Sequence, residues 1–134
     1  MSLFKVFDIA GSALHAQSVR LNTTASNLAN ADSVASSVAA TYRARQPVFQ
    51  TLFDDAGEAA GVGVADIVES QTPLAREYRP GHPLADRDGY VFVPNVNPVE
   101  ELANMISASR AYQTNVEVAE ASKQMLLRTL ALGE

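Results

Sequence analysis

The chain has 134 residues, 47% of them hydrophobic, which suits one domain with one modest core and is too apolar for wholesale disorder. Its formal net charge is -5 and its 10 basic residues are scattered, which argues against nucleic acid or an anionic membrane surface as a partner. There is no cysteine, so disulfides and thiolate metal sites are excluded, and no apolar run reaches the ~20 residues of a membrane span.

Leu3 to about Ala31 is predicted to be a helix. Phe7, Leu14, Leu21 and Leu28 recur at seven-residue spacing, and Phe4, Gly11, Ser18 and Ala25 fill the alternating positions. This large-and-small repeat is the pattern of a coiled-coil seam. Gly11 costs about 1 kcal/mol of helix propensity against Ala, so tight packing against a neighbour is expected to offset it. The opening "MSLFKVFDIAGSALHAQ" has Lys5 as its one basic residue and is interrupted by Asp8 and His15, so it does not fit a secretory signal. A chain of this kind stays in the cytoplasm unless another export route reads it. Between Arg20 and Asp32, "LNTTASNLANA" carries no charge and is crowded with Asn, Thr and Ser, which are mediocre helix formers.

Ser33 to Thr41, "SVASSVAAT", reads as a loop or flexible connector. "TYRARQPVFQTLF" is rich in aromatic and β-branched residues and suits two short strands, or one edge strand broken at Pro47. "DDAGEAAG", Asp54 to Gly61, is a turn or mobile loop, and Val62 to Ser70 is a further strand. In the proline-rich stretch from Thr72 to Pro98, "DRDG" precedes "YVFV" as a turn feeding a strand, with Gly89 supplying a positive φ.

The last segment has the clearest helix start. Asn97 fits the N-cap, Pro98 the first helical position and Glu100 the third, a capping-box arrangement. Leu102, Met105, Ser109, Tyr112, Val116, Ala119, Lys123, Leu126 and Leu130 then alternate by three and four, and Gly133 ends the run. About 35 residues give a rod of roughly 50 Å. A rod of that length needs the N-terminal helix as partner. Ile106, Tyr112 and Leu127 cannot all share one narrow seam with it, so apolar surface is left over for association. The expected fold is mainly α at both termini, with paired, coiled-coil-like heptad helices and a small β-rich middle insert. Residues 1–32 and 98–134 form a discontinuous helical domain around an insert at 33–97.

Candidate chemistry is sparse. His82, Asp86 and Asp88 in "GHPLADRDG" allow a small metal-binding or hydrolytic domain, but the spacing matches no zinc motif and the calcium-loop closing Glu is missing. "GVGVAD" lacks the third glycine of a phosphate loop. His15 stands alone, and Arg20 and Arg110 fit carboxylate partners. No cofactor is expected. An autonomous coiled-coil adaptor is the remaining alternative.

"ALHAQSVRLNTTASNLANADS" resembles the N-terminal signature of flagellar axial proteins through Leu21, Ala25, Asn27, Leu28, Ala29, Asn30 and Ala31. "HPLADRDGYV", "PNVN" and "SRAYQTNVEV" resemble the flagellar basal-body rod protein family, in particular the proximal-rod type lettered C. The resemblance covers both helical ends and the stretch from about Tyr78 onward. It implies a non-enzymatic structural subunit, exported by the flagellar type III apparatus without a cleaved signal peptide. Such subunits assemble in the periplasm with copies of themselves and with other flagellar rod proteins into a helical, torque-transmitting tube. It implies neither nucleic acid nor a direct lipid anchor. Phe7, Leu14, Gln17, Leu21, Asn22, Asn27, Leu28 and Asn30 would then be subunit-interface residues, with Leu102, Met105, Ile106, Ser109, Tyr112, Val116, Ala119, Leu126 and Leu130. Uncharged amides suit such enclosure, because a buried unpaired charge costs several kcal/mol. A helix C-cap and turn is the other reading of Asn27 and Asn30.

Overall fold

A computed structural model describes residues 2–133. Helix α1 runs Leu3–Ala29; the Ser2 hydroxyl accepts the Lys5 N–H at 3.2 Å and so fixes its first turn. Its end is made by Asn30, whose backbone N–H reaches the carbonyls of Ser26 and Asn27 and whose side-chain amide donates to Ser26 O at 2.8 Å. Helix α2 spans Pro98–Leu132. Asn97 Oδ1 accepts from Val99 N–H at 3.1 Å and Glu100 N–H at 3.4 Å, and Glu100 and Glu101 sit where the helix dipole favours anions. The expected capping box works in one direction: among the described residues no bond returns from the Glu100 carboxylate to Asn97 N–H.

The insert holds two antiparallel ribbons. β1 (Arg45–Phe53) pairs with β2 (Ala59–Glu69), and β3 (Ala75–Tyr78) pairs with β4 (Tyr90–Val93). β1 is one continuous strand through Pro47, not two strands or a strand broken there. Arg45 N–H points away from β2, to Asn27 Oδ1 at 3.0 Å. Two residues on, Pro47 falls on the same open edge, where a missing N–H breaks no ladder bond. The Asp54–Glu58 turn is shorter than expected: β2 begins at Ala59, and Asp54 Oδ1 accepts the N–H groups of Ala56 and Glu58. Ala60 and Ala65 are the extra residues where the β2 register shifts. Ser33–Thr41 is a loop, pinned where Ala35 and Phe92 exchange two backbone hydrogen bonds of 3.0 Å.

α1 packs against α2 on one side and against the β1–β2 ribbon on another, while α2 packs on no named element other than α1. The buried apolar residues are Ala10, Ala16, Ala35, Ala44, Val91 and Ala108. Thr23, Thr24, Asn27, Thr41, Glu101 and Ser122 are buried with them. Val91 is the largest apolar side chain among the fully buried ones, so close approach of backbones, rather than interlocking large side chains, holds the helices together.

Candidate functional site

The two helices run antiparallel. Arg20 Nη2 reaches Asn104 Oδ1 at 3.4 Å near one end. At the other, Phe4 lines an apolar groove of about 340 Å³ with Lys123, Leu126, Leu127, Thr129 and Leu130. The face that α2 buries is Glu101, Ala108 and Ser122, with half-buried Asn115 between them, all at seven-residue intervals. Polar residues tolerate the seam because they satisfy themselves locally. Ser122 Oγ donates to Val118 O and Asn115 Nδ2 to Ala111 O, both at 2.8 Å, and on α1 Thr23 Oγ1 donates to Val19 O at 2.8 Å.

The expected α2 series is offset by about one residue from this face. Met105, Ser109, Ala119 and Leu126 are half-buried. Leu102 is 51% exposed, Ile106 57% and Leu130 69%, and Tyr112 and Val116 are also exposed. Large apolar side chains therefore flank the intrachain contact instead of filling it.

On α1, Leu14, Leu21 and Leu28 are half-buried, and Phe7 and Asn22 are exposed. Gln17 is half-buried, with its Oε1 enclosed and without a hydrogen-bond partner. Asn27 is 1% exposed and works inside the subunit. Its Nδ2 donates to Arg45 O at 2.8 Å, and its Oδ1 accepts from Arg45 N–H at 3.0 Å and Tyr42 O–H at 2.8 Å. The side chain thus imitates a neighbouring strand's peptide group. The amide's hydrogen bonds are thus made inside the subunit, where its assignment as a subunit contact had placed a neighbour. Asn30 takes the capping role given above, which also anchors it locally.

Sequence reasoning missed the residues that hold the ribbon to α1. Ser12 Oγ accepts Val62 N–H at 3.1 Å, and a Cβ on Gly61 would lie 2.6 Å from that oxygen, so glycine permits the approach. Lys5 Nζ bonds Asp54 Oδ2 at 2.9 Å and Glu58 Oε2 at 2.8 Å. The Lys5 ammonium is the main reason the Asp54 carboxyl is held below its ordinary range, and Glu58 and Asp54 in turn raise the Lys5 pKa. These partners are about fifty residues apart in the chain, so no local pattern signals them.

In the His82 loop Asp86 is taken up by the turn it sits in. Asp86 Oδ1 accepts the N–H groups of Asp88 and Tyr90 at 2.9 Å each, and Oδ2 meets Arg76 Nη2 at 2.7 Å. The Tyr90 N–H, then the Asp88 N–H and Arg76, pull the Asp86 pKa down. His82 Nδ1 accepts Leu84 N–H at 3.1 Å. Among the described residues no group of three or more His, Cys, Asp or Glu side chains is placed to hold a metal ion. The carboxylate of Asp86, on which the alternative metal-binding or hydrolytic reading leaned, is the brace of a turn.

What remains open is two long helix faces, that of α1 poor in charge and that of α2 carrying Arg110, Glu117 and Glu120 beside its apolar residues. α1 exposes Phe4, Phe7, Gly11, His15, Asn22, Ala25 and Ala29 at helical spacing, with Asp8 its one ionised member. α2 exposes Val99, Leu102, Ile106, Val116 and Leu127. Exposed apolar surface of this kind marks a surface for association more often than a site of chemistry.

Comparison with known proteins agrees with that character. Residues 7–35 match the family described as "Flagella basal body rod protein", and residues 87–132 match "Flagellar basal body rod FlgEFG protein C-terminal". Over the full length of both chains, the sequence is 56% identical to the flagellar basal-body rod protein FlgC of Escherichia coli O157:H7. The corresponding value is 54% for FlgC of Salmonella typhimurium, again over the full length of both. FlgC of Buchnera aphidicola from Acyrthosiphon pisum is 41% identical over the whole of each chain.

Proposed function

This chain belongs to the FlgC family of flagellar basal-body rod proteins, and from that premise we propose how its helices build the rod. It is a structural subunit of the basal-body rod and not an enzyme. It assembles there with other rod components. The rod-forming unit is discontinuous: residues 1–32 and 98–134, with residues 1 and 134 themselves outside the described range, brought together around the insert at 33–97. The terminal helices polymerise, with copies of the chain and with other rod proteins, into a periplasmic helical tube that transmits torque. The chain reaches that site through the flagellar type III export apparatus, with no cleaved signal peptide.

One observation carries this reading: the large apolar side chains of α2 lie outside the contact it makes with α1. Leu102 is 51% exposed, Ile106 57% and Leu130 69%, so covering what remains of each is worth on the order of 1–2 kcal/mol, which the assembled state would supply. Leu14, Leu21, Leu28, Met105, Ser109, Tyr112, Val116, Ala119 and Leu126 form the heptad-spaced margins of the helix pair. With exposed Phe7 and Asn22, and with Gln17, they are its contact residues toward neighbours.

Basal bodies purified from cells carrying a tagged chain test the assignment: electron microscopy is expected to place the tag in the rod, and its absence there would refute the reading. Leu21→Asp and Leu126→Asp are expected to abolish motility while the two ribbons keep their amide protection. A motile strain carrying either change would remove those margins from the interface.

A further inference from the structure

The β1–β2 ribbon has only two strands, so each carries an outer edge of backbone groups that a third strand could pair with. Most of those groups are occupied. On β2 the Val62 N–H is held by Ser12 Oγ at 3.1 Å, the Ile67 N–H by Asp66 Oδ1 at 2.7 Å, and the Glu69 carbonyl by Gln71 Nε2 at 3.3 Å. On β1 the Arg45 peptide groups go to Asn27, and Pro47 has no N–H to offer. Past Pro47 this defence stops. By the same alternation, Phe49, Thr51 and Phe53 turn their N–H and C=O groups to the β1 edge, and among the described residues no hydrogen bond reaches them from outside the ribbon. Phe49 is 38% exposed and Phe53 67%, both on one face of the strand.

The open edge overlooks α2. No Cα of β1 lies within 8 Å of one in α2, and α1, which packs on both, floors the gap between them. At one end of the gap, Pro47 and Phe49 of β1, Arg20 of α1, and Glu100 and Glu101 of α2 bound a cavity of about 180 Å³. Glu101 is 5% exposed, and among the described residues its carboxylate makes no hydrogen bond and no ion pair. A buried carboxylate in that condition is costly until a cation reaches it. Neither nearby guanidinium does so: Arg20 Nη2 turns to Asn104 Oδ1 at 3.4 Å, and Arg45 Nη2 to Glu69 Oε1 at 3.5 Å. With Arg45 matched by Glu69, two carboxylates face one guanidinium, and the cavity is short of one positive charge.

We propose that this gap receives an extended segment of another basal-body protein, which adds to β1 as a third strand along Phe49–Phe53 and sends a lysine into the cavity to pair with Glu101. This rests on the rod-subunit reading above and adds a partner that docks on the insert by strand pairing. The unpaired N–H and C=O groups select an extended backbone of about five residues, and the exposed rings of Phe49 and Phe53 favour apolar side chains on the same face. The compact ammonium of lysine suits a small cavity with a single unmatched carboxylate better than a planar guanidinium does. Copies of this chain do not supply the segment: Lys5 and Lys123, its two lysines, both stand on helices. Of the arginines outside the helices, Arg43, Arg45, Arg76 and Arg79 are already bonded within the subunit, and Arg87 sits in the Asp86–Gly89 turn.

Cross-linking in purified basal bodies, read by mass spectrometry, tests both contacts. Carbodiimide joins a carboxylate to an adjacent amine, and a photoreactive benzophenone side chain in place of Thr51 joins what lies on the β1 edge. Both are expected to link the chain to one segment of a single other protein, with a lysine of that segment joined to Glu101. A Glu101 link to this chain or to a copy, Thr51 links to a different protein, or no link at either position in basal bodies that hold the chain would overturn the proposal. Thr51→Pro removes an N–H from the open edge without breaking a ladder bond. The free variant should melt like the parent while its Glu101 link falls at least about tenfold. Glu101→Gln keeps the shape and removes the charge; it should lower the Thr51 link at least about tenfold without destabilising the free chain. An undiminished link in either variant would also overturn the proposal. Absence of the unmodified chain from basal bodies would instead refute the rod-subunit reading itself.

Discussion

α1 and α2 are both long, but α1 carries only Lys5, Asp8 and Arg20 as charged residues whereas α2 carries Glu100, Glu101, Arg110, Glu117, Glu120, Lys123 and Arg128, and they live in different surroundings. α1 is held on two sides, by α2 and by the β1–β2 ribbon, and buries Ala10, Ala16, Thr23, Thr24 and Asn27. α2 is eight residues longer, packs on α1 alone among the named elements, and buries only Glu101, Ala108 and Ser122 among the described residues. One helix finishes most of its packing inside the subunit, and the other keeps most of its apolar surface for outside. Substitutions on the inner side of α1 should therefore cost folding, and substitutions on the outer side of α2 should cost association.

The largest folding effect is expected at Asn27. Asn27→Ala removes three hydrogen bonds and leaves the Arg45 N–H and C=O and the Tyr42 hydroxyl short of partners at a site 1% exposed. Stranded buried groups cost about 1–3 kcal/mol each, so a loss of about 3 kcal/mol is expected in denaturant melts. A loss under about 1 kcal/mol would mean that the ribbon is not tied to α1 through this amide.

Gly89→Ala should come next, at about 2 kcal/mol. Its φ is +85°, and the new Cβ would lie 2.8 Å from the Tyr78 ring and 3.1–3.2 Å from Pro80. The damage should stay in β3 and β4 and spare the helix pair. Amide exchange that rises at Tyr90–Val93 and is unchanged along α2 is the expected pattern; a global rise would show the insert and helices to be one cooperative unit.

How much of this was legible in the sequence follows from the same contrast. The helix limits, the Asn97–Pro98 start, the β4 strand and the Gly89 turn each rest on a local rule, and each lies where the residues dictate. β3 was not legible: "AREY" has no apolar alternation and lies among prolines, and it becomes a strand only because β4 is there to pair with it. The α2 series read from the sequence coincides only in part with the face that α2 buries, for a physical reason. Hydrophobic periodicity finds the most apolar stripe of a helix, and on α2 that stripe is not the one facing α1. The uncharged run after Arg20 has two causes that look alike in sequence. Thr23, Thr24 and Asn27 are enclosed within the subunit, whereas Asn22 and Ala25 face outward.

Acid should loosen the insert's two carboxylate braces before the helix pair. Asp54 and Asp86 both have pKa values below the ordinary 3.8, Asp54 chiefly through Lys5 and Asp86 chiefly through the Tyr90 N–H. A carboxyl with a depressed pKa contributes stability above its unfolded value and loses it as pH falls through the folded one. The braces are thus fully present above about pH 4–5 and fade below that range. Lys5 has the opposite sign: its raised pKa makes the tie to Asp54 and Glu58 fade only as pH rises past the ordinary 10.5. Exchange at residues 54–58 and 79–89 should rise between pH 5 and pH 2 at constant intrinsic rate. Unchanged protection there would show that these braces do not hold the turns.

The smallest folding effect is the sharpest test of the comparison. Ile106 is 57% exposed on α2 and touches neither ribbon, so Ile106→Ser should change the stability of the free subunit by no more than about 0.5 kcal/mol. Serine is only slightly different from isoleucine as a helix former, so propensity adds little to the change. In the assembled rod the same substitution would replace a covered apolar side chain, a change worth roughly 1.5–3 kcal/mol at every copy. Swimming should therefore fail in cells whose purified subunit melts like the parent. If the purified variant instead unfolds several degrees early, Ile106 belongs to the subunit's own packing, and the difference drawn between the two helices is not the one that matters.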